Sequence, residues 1–309
     1  MDLRQLRHFV AVAEELHFGK AAERLHMTQP PLSQSIQALE ADLGVQLFFR
    51  TKRTVRLTPI GKHWLPHARR VVDEAATLPE LARRLSRGEV GTLRIAFVSF
   101  VGYSFLPRLV SRFKQSFPEV EILLSEATSN VQIDSLLAGD IDIGLMIPPS
   151  NRAMPAPLSY MPITSEELVV AMPSRWIKSR NAEHQSGTIS FEDFKEKPLV
   201  LFPRAGAPVL HDLVTRFYAN YGAHPVISQH AMQMQTMINL VAEGMGLAFV
   251  PSCMRSLSPA GVSYLRLQEA APTIEVGLSW QPDEASQVVK KFVALVKDEI
   301  ASRSAASSL

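Results

Sequence analysis

Residues 18–44 read FGKAAERLHMTQPPLSQSIQALEADLG, and this stretch decides the fold of the N-terminal part of the chain. A short helix is predicted by the three- and four-residue spacing of Phe18, Ala21, Ala22 and Leu25. His26-Met27-Thr28 is then too short to be anything but a turn, and Thr28 can cap a second helix with prolines in its first turn. This second helix buries Leu32, Ile36, Leu39 and Leu43 and stops at Gly44. The spacing predicts a helix-turn-helix over residues 18–37.

Further elements flank this motif. Leu3 to Leu16 carries a helical apolar stripe, and Leu47 to Leu57 alternates like a small hairpin with a basic tip. We therefore expect a winged helix-turn-helix, α-helical DNA-binding domain over residues 1–58. Thr58 and Pro59 then begin a long linker helix, predicted over residues 59–89 and about 45 Å in length. Pro79 is expected to kink or interrupt it.

The linker helix carries a row of apolar residues, here called the seam. No domain core follows it closely enough in the sequence to cover this row. Its members are Leu65, Ala68, Val72, Ala75, Leu78, Leu81 and Leu85. Such a seam predicts pairing with a second copy of the chain. The alternative is that the helix lies on its own domain.

The outward face of the second motif helix predicts a base-reading surface. Gln can bond bidentately to adenine, and Ser can donate to or accept from several base edges. No charge stands between Thr28 and Ala38, whereas a solvated helix face usually carries Lys and Glu. A basic hairpin tip would meet phosphates or a narrow minor groove. The predicted DNA-binding residues are Thr28, Gln29, Pro30, Ser33, Gln34, Gln37, Arg50, Lys52 and Arg53.

From Leu93 onward, strands alternate with helices, which predicts parallel α/β sheets. We expect one domain over residues 90–309 made of two subdomains. The first covers about 90–162 and 268–309, and the second covers about 163–267. For the second subdomain we predict short strands, among them Leu168–Met172, Pro198–Phe202 and Leu247–Val250.

Bulk properties exclude several classes of protein. The 309 residues suggest two domains, with 46% hydrophobic and 20% charged residues. We expect no membrane span and no secretory signal. Cys253 is the only cysteine, so intramolecular disulfides are excluded and a reducing cytoplasm is expected. Residues 1–90 carry 14 Lys and Arg against 10 Asp and Glu, an asymmetry expected of a DNA-contacting module on a slightly acidic body.

Residues 3–61 resemble the amino-terminal domain of LysR-type transcription regulators. The resemblance rests on Phe9-Val10-Ala11-Val12-Ala13, Thr28-Gln29-Pro30, Leu32-Ser33, Leu43-Gly44 and Leu57-Thr58-Pro59-Ile60-Gly61. It implies a homotetramer, a dimer of dimers joined through linker helices, with an effector domain like a periplasmic binding protein. It also implies three partners: a double-stranded DNA operator, a small-molecule effector and RNA polymerase.

Within that family, Leu201-Phe202-Pro203-Arg204 and Gln29-Pro30-Pro31-Leu32-Ser33 look most similar to members that sense muconate, benzoate and chlorinated relatives. The resemblance implies an effector held in a cleft between the subdomains, at helix N-termini. Ser99 and Thr128 each follow a predicted strand, at the edge where α/β sheets bind ligands. The predicted effector-binding residues are Ser99, Phe100, Thr128, Ile147, Phe202, Pro203 and Ile227.

One departure from the muconate-responsive members shapes the expected effector. Those members place an arginine three residues past the glycine of the third strand, where this chain has Ile147. We therefore expect a small organic or aromatic acid with one carboxylate, or none, on an apolar body.

Two alternatives remain open on the residues alone: a small-molecule-binding module and a metabolic enzyme with a DNA-binding-like N-terminus. The enzyme is disfavoured because the sequence holds no G-x-S-x-G elbow and no H-E-x-x-H spacing, and Gly244-Met245-Gly246 lacks the third glycine of a dinucleotide loop. His63 and His67 are expected on the solvated side of the linker helix. We predict no catalytic residue, no cofactor and no metal.

Overall fold

The computed structural model describes residues 1–51, 54–151, 153–177 and 187–306. The chain divides after Arg84 into two compact units. Among the described residues, none of the helices combines the length and the apolar character needed to cross a membrane.

The first unit is built from helices and a two-stranded hairpin. In chain order the elements are α1 Leu3–Glu15, α2 Phe18–Arg24, α3 Gln29–Leu43, β1 Phe48–Arg50, β2 Val55–Leu57 and α4 Pro59–Ser86. Helix α1 begins with a capping box, in which Asp2 accepts a hydrogen bond from the Gln5 N–H and the Gln5 side chain accepts one from the Asp2 N–H. Strands β1 and β2 pair in antiparallel register, with Phe48 opposite Leu57.

The turn between α2 and α3 fixes the angle of the helix-turn-helix. His26 adopts a left-handed conformation, and the Met27 N–H donates back to the Ala22 carbonyl. Helix α3 ends at Gly44, whose φ of 68° is costly for other residues. The core of the first unit contains Phe9, Leu32, Ile36 and Leu39, which are all fully buried.

Helix α4 differs from its prediction in two respects. It is continuous through Pro79, so the expected interruption does not occur. In a long, exposed helix the carbonyl that loses its donor can bond to water instead. The apolar seam is also divided: Leu65, Ala68 and Val72 pack against the core of the first unit, whereas Leu78 and Leu81 are 56% and 42% exposed. His63 and His67 are both exposed, as expected.

The second unit is an α/β domain. Its strands in chain order are β3 Gly91–Phe97, β4 Val120–Glu126, β5 Ile143–Met146, β6 Ser159–Pro173, β7 Thr188–Ile189, β8 Pro198–Leu201, β9 Val226–His230, β10 Ala248–Pro251, β11 Val262–Leu267 and β12 Thr273–Trp280. An eight-stranded sheet has the strand order β4-β3-β5-β12-β6-β11-β7, in which β10 also pairs with β6. A separate pair, β8 and β9, is parallel. The helices are α5 Leu106–Ser116, α6 Ser129–Ala138, α7 Pro208–Asn220, α8 Met234–Ala242 and α9 Gln287–Ala306.

Strand β6 is shared by two lobes. Ser159–Glu167 pairs with β12, whereas Leu168–Pro173 pairs with β10 and β11. We call lobe I the part built on β3, β4, β5, β12 and the first part of β6, and lobe II the part built on β7 to β11 and the rest of β6. The change of partner falls at Glu167, about five residues after the boundary placed at 162 from the sequence.

Four stretches of strand are not among those predicted: the first half of β6, β7, β9 and β11. Strand β7 has only two residues, all five residues of β9 are exposed, and the first half of β6 mixes polar and apolar residues. None of these stretches shows the clean apolar alternation that identifies a half-buried strand.

Candidate nucleic-acid interface and effector cavity

The outward face of α3 brings most of the predicted base-reading residues together. Thr28, Gln29, Pro30, Gln34 and Gln37 are exposed, and Ser33 is half-buried. They lie opposite Leu32, Ile36 and Leu39, because residues at three- and four-residue steps share a face. Thr28 occupies the N-cap position, but its side chain makes no capping hydrogen bond. The hydroxyl is thus not committed to the helix end.

The hairpin is held against α3 by a part-buried carboxylate. Glu40 Oε1 accepts hydrogen bonds from the Leu47 and Phe48 N–H groups at 2.8 and 3.0 Å. Its other oxygen pairs with the Arg50 guanidinium at 2.6 Å, and the same guanidinium lies 5.1 Å above the ring of Phe18. Arg50 therefore links the wing to α2 and α3.

This placement bears on the predicted DNA contacts of the wing. The Arg50 side chain is 24% exposed and already paired, which favours a supporting role over a direct contact with phosphate. Sequence reasoning could not foresee the pair, because nothing in the spacing marks Glu40 as the partner. Lys52 and Arg53 lie outside the described residues.

A buried histidine fixes the other side of α3. His8 on α1 is 2.7 Å from the Ser35 hydroxyl through Nδ1. Burial lowers the pKa of His8, with nearby Arg4 acting in the same direction, so the ring is neutral around pH 7. The pair ties the first helix to the helix that carries the predicted base-reading face, and no sequence pattern marks it.

A cavity of about 200 Å³ opens between the lobes of the second unit. It lies at the carboxyl ends of β3, β4 and β5 in lobe I and of β8 and β9 in lobe II, where parallel strands leave their following loops. Of the predicted residues, the cavity is lined by Ser99, Phe100, Thr128, Ile147 and Phe202.

Two predicted residues do not line the cavity. Pro203 follows Phe202, but its carbonyl accepts hydrogen bonds from the Gly206 and Ala207 N–H groups, so the chain turns there and presents later residues to the cavity. Ile227 lies within β9 rather than after it, and is exposed. The cavity meets this part of the chain at Met232 instead.

The polar end of the cavity lies at the N-terminus of α6. Thr128 caps this helix by position only, without a side-chain capping bond. The Ser129 oxygen accepts a hydrogen bond from the Ile147 N–H at 3.1 Å, which leaves the hydroxyl hydrogen to be donated elsewhere. Nearby, the fully buried Gln132 donates to the Ala127 carbonyl at 2.8 Å and so secures the end of β4.

The remaining lining is largely apolar, with Phe100, Ile133, Phe202 and Leu210 among its members. Glu126 is the one charged side chain among the lining residues that the structure describes, and it is exposed. Sequence reasoning missed Ser129 and the lobe II residues Gly206 and Met232. For Ser129 a signal existed, since Thr128-Ser129 immediately precedes a helical pattern that ends at Gly139.

A helix-turn-helix with a hairpin wing, followed by a two-lobed α/β domain with a ligand-sized cavity, defines the class of ligand-responsive, DNA-binding transcription regulators. Two family models agree with this class. Residues 3–62 match the "bacterial regulatory helix-turn-helix protein, lysR family" and residues 86–301 match the "LysR substrate binding domain". The chain belongs to the LysR family of bacterial transcription regulators.

Curated relatives extend over nearly the whole chain. It is 49% identical to the HTH-type transcriptional regulator IlvR of Caulobacter vibrioides, over 97% of this chain and 98% of the relative. It is 38% identical to the regulator AlsR of Bacillus subtilis, over 95% and 94%. Because these relatives are named as regulators, the chain is a transcription regulator and not an enzyme.

Solved structures show the same arrangement. CbnR, a LysR family transcriptional regulator, superposes with a TM-score of 0.66 at 29% identity, over 96% of this chain and all of that one. Full-length CbnR in complex with its target DNA gives a TM-score of 0.70 at 28% identity, over 97% and 100%. The family and the fold are therefore both established.

Proposed function

We propose that this regulator couples operator binding to a small organic acid that carries one carboxylate on an apolar body. The observation that carries the proposal is that one cavity has both a polar end and apolar walls. The Thr128 and Ser129 hydroxyls lie at the polar end, at the N-terminus of α6, and the walls include Phe100 and Phe202. Free N–H groups and the helix dipole at such an end favour an anion. The apolar walls would bury the rest of the molecule.

Ile147 supports a single carboxylate. A second carboxylate at this position would need a positively charged partner, which isoleucine does not provide. The described lining residues also include no lysine or arginine. A desolvated second charge would be costly without one. The names of the relatives state no effector, so the case for an aromatic acid rests on the two phenylalanines of the cavity.

Calorimetry on the full chain tests the effector class. The parent protein should bind benzoate more tightly than the dicarboxylate muconate. Thr128→Val and Ser99→Ala should each weaken binding about tenfold or more, because a hydrogen bond to a charged group is worth about 1.5–3 kcal/mol. Thr92→Val, on an exposed part of lobe I outside the cavity, is the matched control. Unchanged affinity in both cavity variants, or a preference for muconate, contradicts the proposal.

We further propose that Gln29, Ser33 and Gln34 read bases, with Thr28, Pro30 and Gln37 completing the contact face and Arg53 holding the backbone or minor groove. The support is the exposed polar face of α3. On the duplex that the full chain enriches from a random library, Gln29→Ala should cost about 1–3 kcal/mol at particular base pairs. Binding to unrelated duplex of equal length should stay the same in this variant, whereas Arg53→Ala should weaken binding to both. Equal losses on both duplexes for Gln29→Ala would remove its base-reading role.

The exposed part of α4 supports a homo-oligomer. We propose that Leu78 and Leu81 meet their counterparts in a second copy, that two such dimers associate, and that the assembly recruits RNA polymerase in the cytoplasm, where operator DNA lies. Two DNA-reading units per dimer would match an operator with two half-sites.

A further inference from the structure

The lobe II wall of the cavity contains a glycine whose backbone does not require glycine. Gly206 does not adopt a left-handed φ, and its N–H donates to the Pro203 carbonyl at 3.1 Å. Alanine would therefore fit this backbone conformation. Any effect of a Cβ at position 206 would therefore come from the space that it occupies.

That space is filled by Met232. A Cβ on Gly206 would lie 2.5 Å from the Met232 sulfur and closer still to its terminal methyl carbon, far inside normal contact distance. Both residues line the cavity. The thioether thus rests on the bare backbone of Gly206, in a notch that any side chain at 206 would close.

Met232 is also the movable part of this wall. Its backbone is anchored, because the N–H of the preceding Ala231 donates to the Leu201 carbonyl at 3.1 Å. Its side chain is 38% exposed, whereas Met234 and Phe202 beside it are buried. An unbranched thioether with three rotatable bonds adapts to the shape beside it.

We infer that Met232, seated on Gly206, determines which effectors fit by limiting the length of the apolar body. The inference rests on the proposed function, since it concerns the lobe II wall of the same cavity in which Thr128 and Ser129 stand on lobe I. Removing the thioether lengthens the cavity, and closing the notch displaces the thioether into the space that the ligand uses. Gly206→Ala should therefore act only through Met232.

The unliganded full chain tests the notch first. Gly206→Ala should displace the Met232 thioether and so shift the NMR resonance of its methyl group, which the Met232→Ala spectrum identifies. Because the displaced group is the far end of a flexible side chain, the midpoint of thermal unfolding should change little. An unshifted Met232 methyl resonance in Gly206→Ala would overturn the notch.

Calorimetry with straight-chain acids from butanoate to octanoate, and with the matched neutral amides, tests the selection by length. Met232→Ala should move the preferred length up by one or two methylenes, each worth about a fourfold change in affinity. Gly206→Ala should move it down, and the double variant should resemble Met232→Ala. An unchanged preferred length in Met232→Ala overturns the inference. If the amides bind and the acids do not, the proposed carboxylate effector is wrong, and the preferred length of the amides then tests the selection by length. If neither series binds, both proposals are overturned.

Discussion

Replacing Glu40 with alanine is expected to release the wing from α3 and to abolish operator binding. The substitution removes the acceptor for two backbone N–H groups and leaves the Arg50 guanidinium without its partner in a part-buried position. An unpaired buried charge with unsatisfied donors costs about 3 kcal/mol. Hydrogen exchange of the full chain should show a loss of protection at Leu47 and Phe48 of about a hundredfold.

Two comparisons decide whether the carboxylate of Glu40 is responsible. Asp42→Ala, two positions further along α3, removes only an exposed pair with the N-terminal amine and should leave exchange and binding nearly unchanged. Glu40→Gln keeps an acceptor oxygen but loses the charge, and should fall between alanine and the parent protein. Parent-like protection at Leu47 and Phe48 in the alanine variant would show that the hairpin is held in another way.

Leu81→Asp is expected to dissociate the protein into monomers and to weaken binding to a two-half-site operator by more than a hundredfold. Leu81 is 42% exposed in a single chain and belongs to the part of the α4 seam that the first unit does not cover. In a two-fold dimer the substitution acts twice, and burying each leucine is worth about 1.5–3 kcal/mol. Sedimentation at micromolar concentration measures the assembly.

Ala76→Asp is the matched control for this prediction. It places the same charge on the same helix, but on the face opposite Leu78 and Leu81, where residues are exposed in the single chain. It should leave both assembly and operator affinity close to those of the parent protein. A parent protein that already sediments as a monomer, or equal effects of the two aspartates, would contradict pairing through this seam.

The helix-turn-helix could be predicted because its signals are local. Helices α2 and α3 are defined by apolar residues at three- and four-residue spacing, by a connecting segment too short to be a helix or strand, and by Gly44 at the helix end. Arg50 shows the limit of such reasoning. Its charge at a hairpin predicts a DNA contact, but its partner is a glutamate ten residues away that only the folded chain brings within 2.6 Å.

The effector cavity could be predicted in lobe I and much less so in lobe II. Ser99 and Thr128 could be predicted because each follows a parallel strand, and such strand ends converge at one edge. Ile147 came from the resemblance, as the position that holds an arginine in muconate-responsive members. In lobe II, part of the cavity lies after β9. All residues of this strand are exposed, so the sequence has no apolar pattern that would mark where the strand ends. Met232, which follows β9, was therefore not predicted, whereas Ile227 was predicted but is exposed within the strand.

The order of the strands also constrains when the sensor can exist during synthesis. Strand β12 lies between β5 and β6, and Phe292 of α9 is fully buried against Phe113 of α5. The segments that complete lobe I are therefore translated last, on the order of 10 s after β5 at the usual rate of elongation. A nascent chain carries a finished DNA-reading unit well before it has a cavity with two walls. A message truncated in its last quarter would thus encode the helix-turn-helix and the hairpin but not the strand and the helix that complete lobe I.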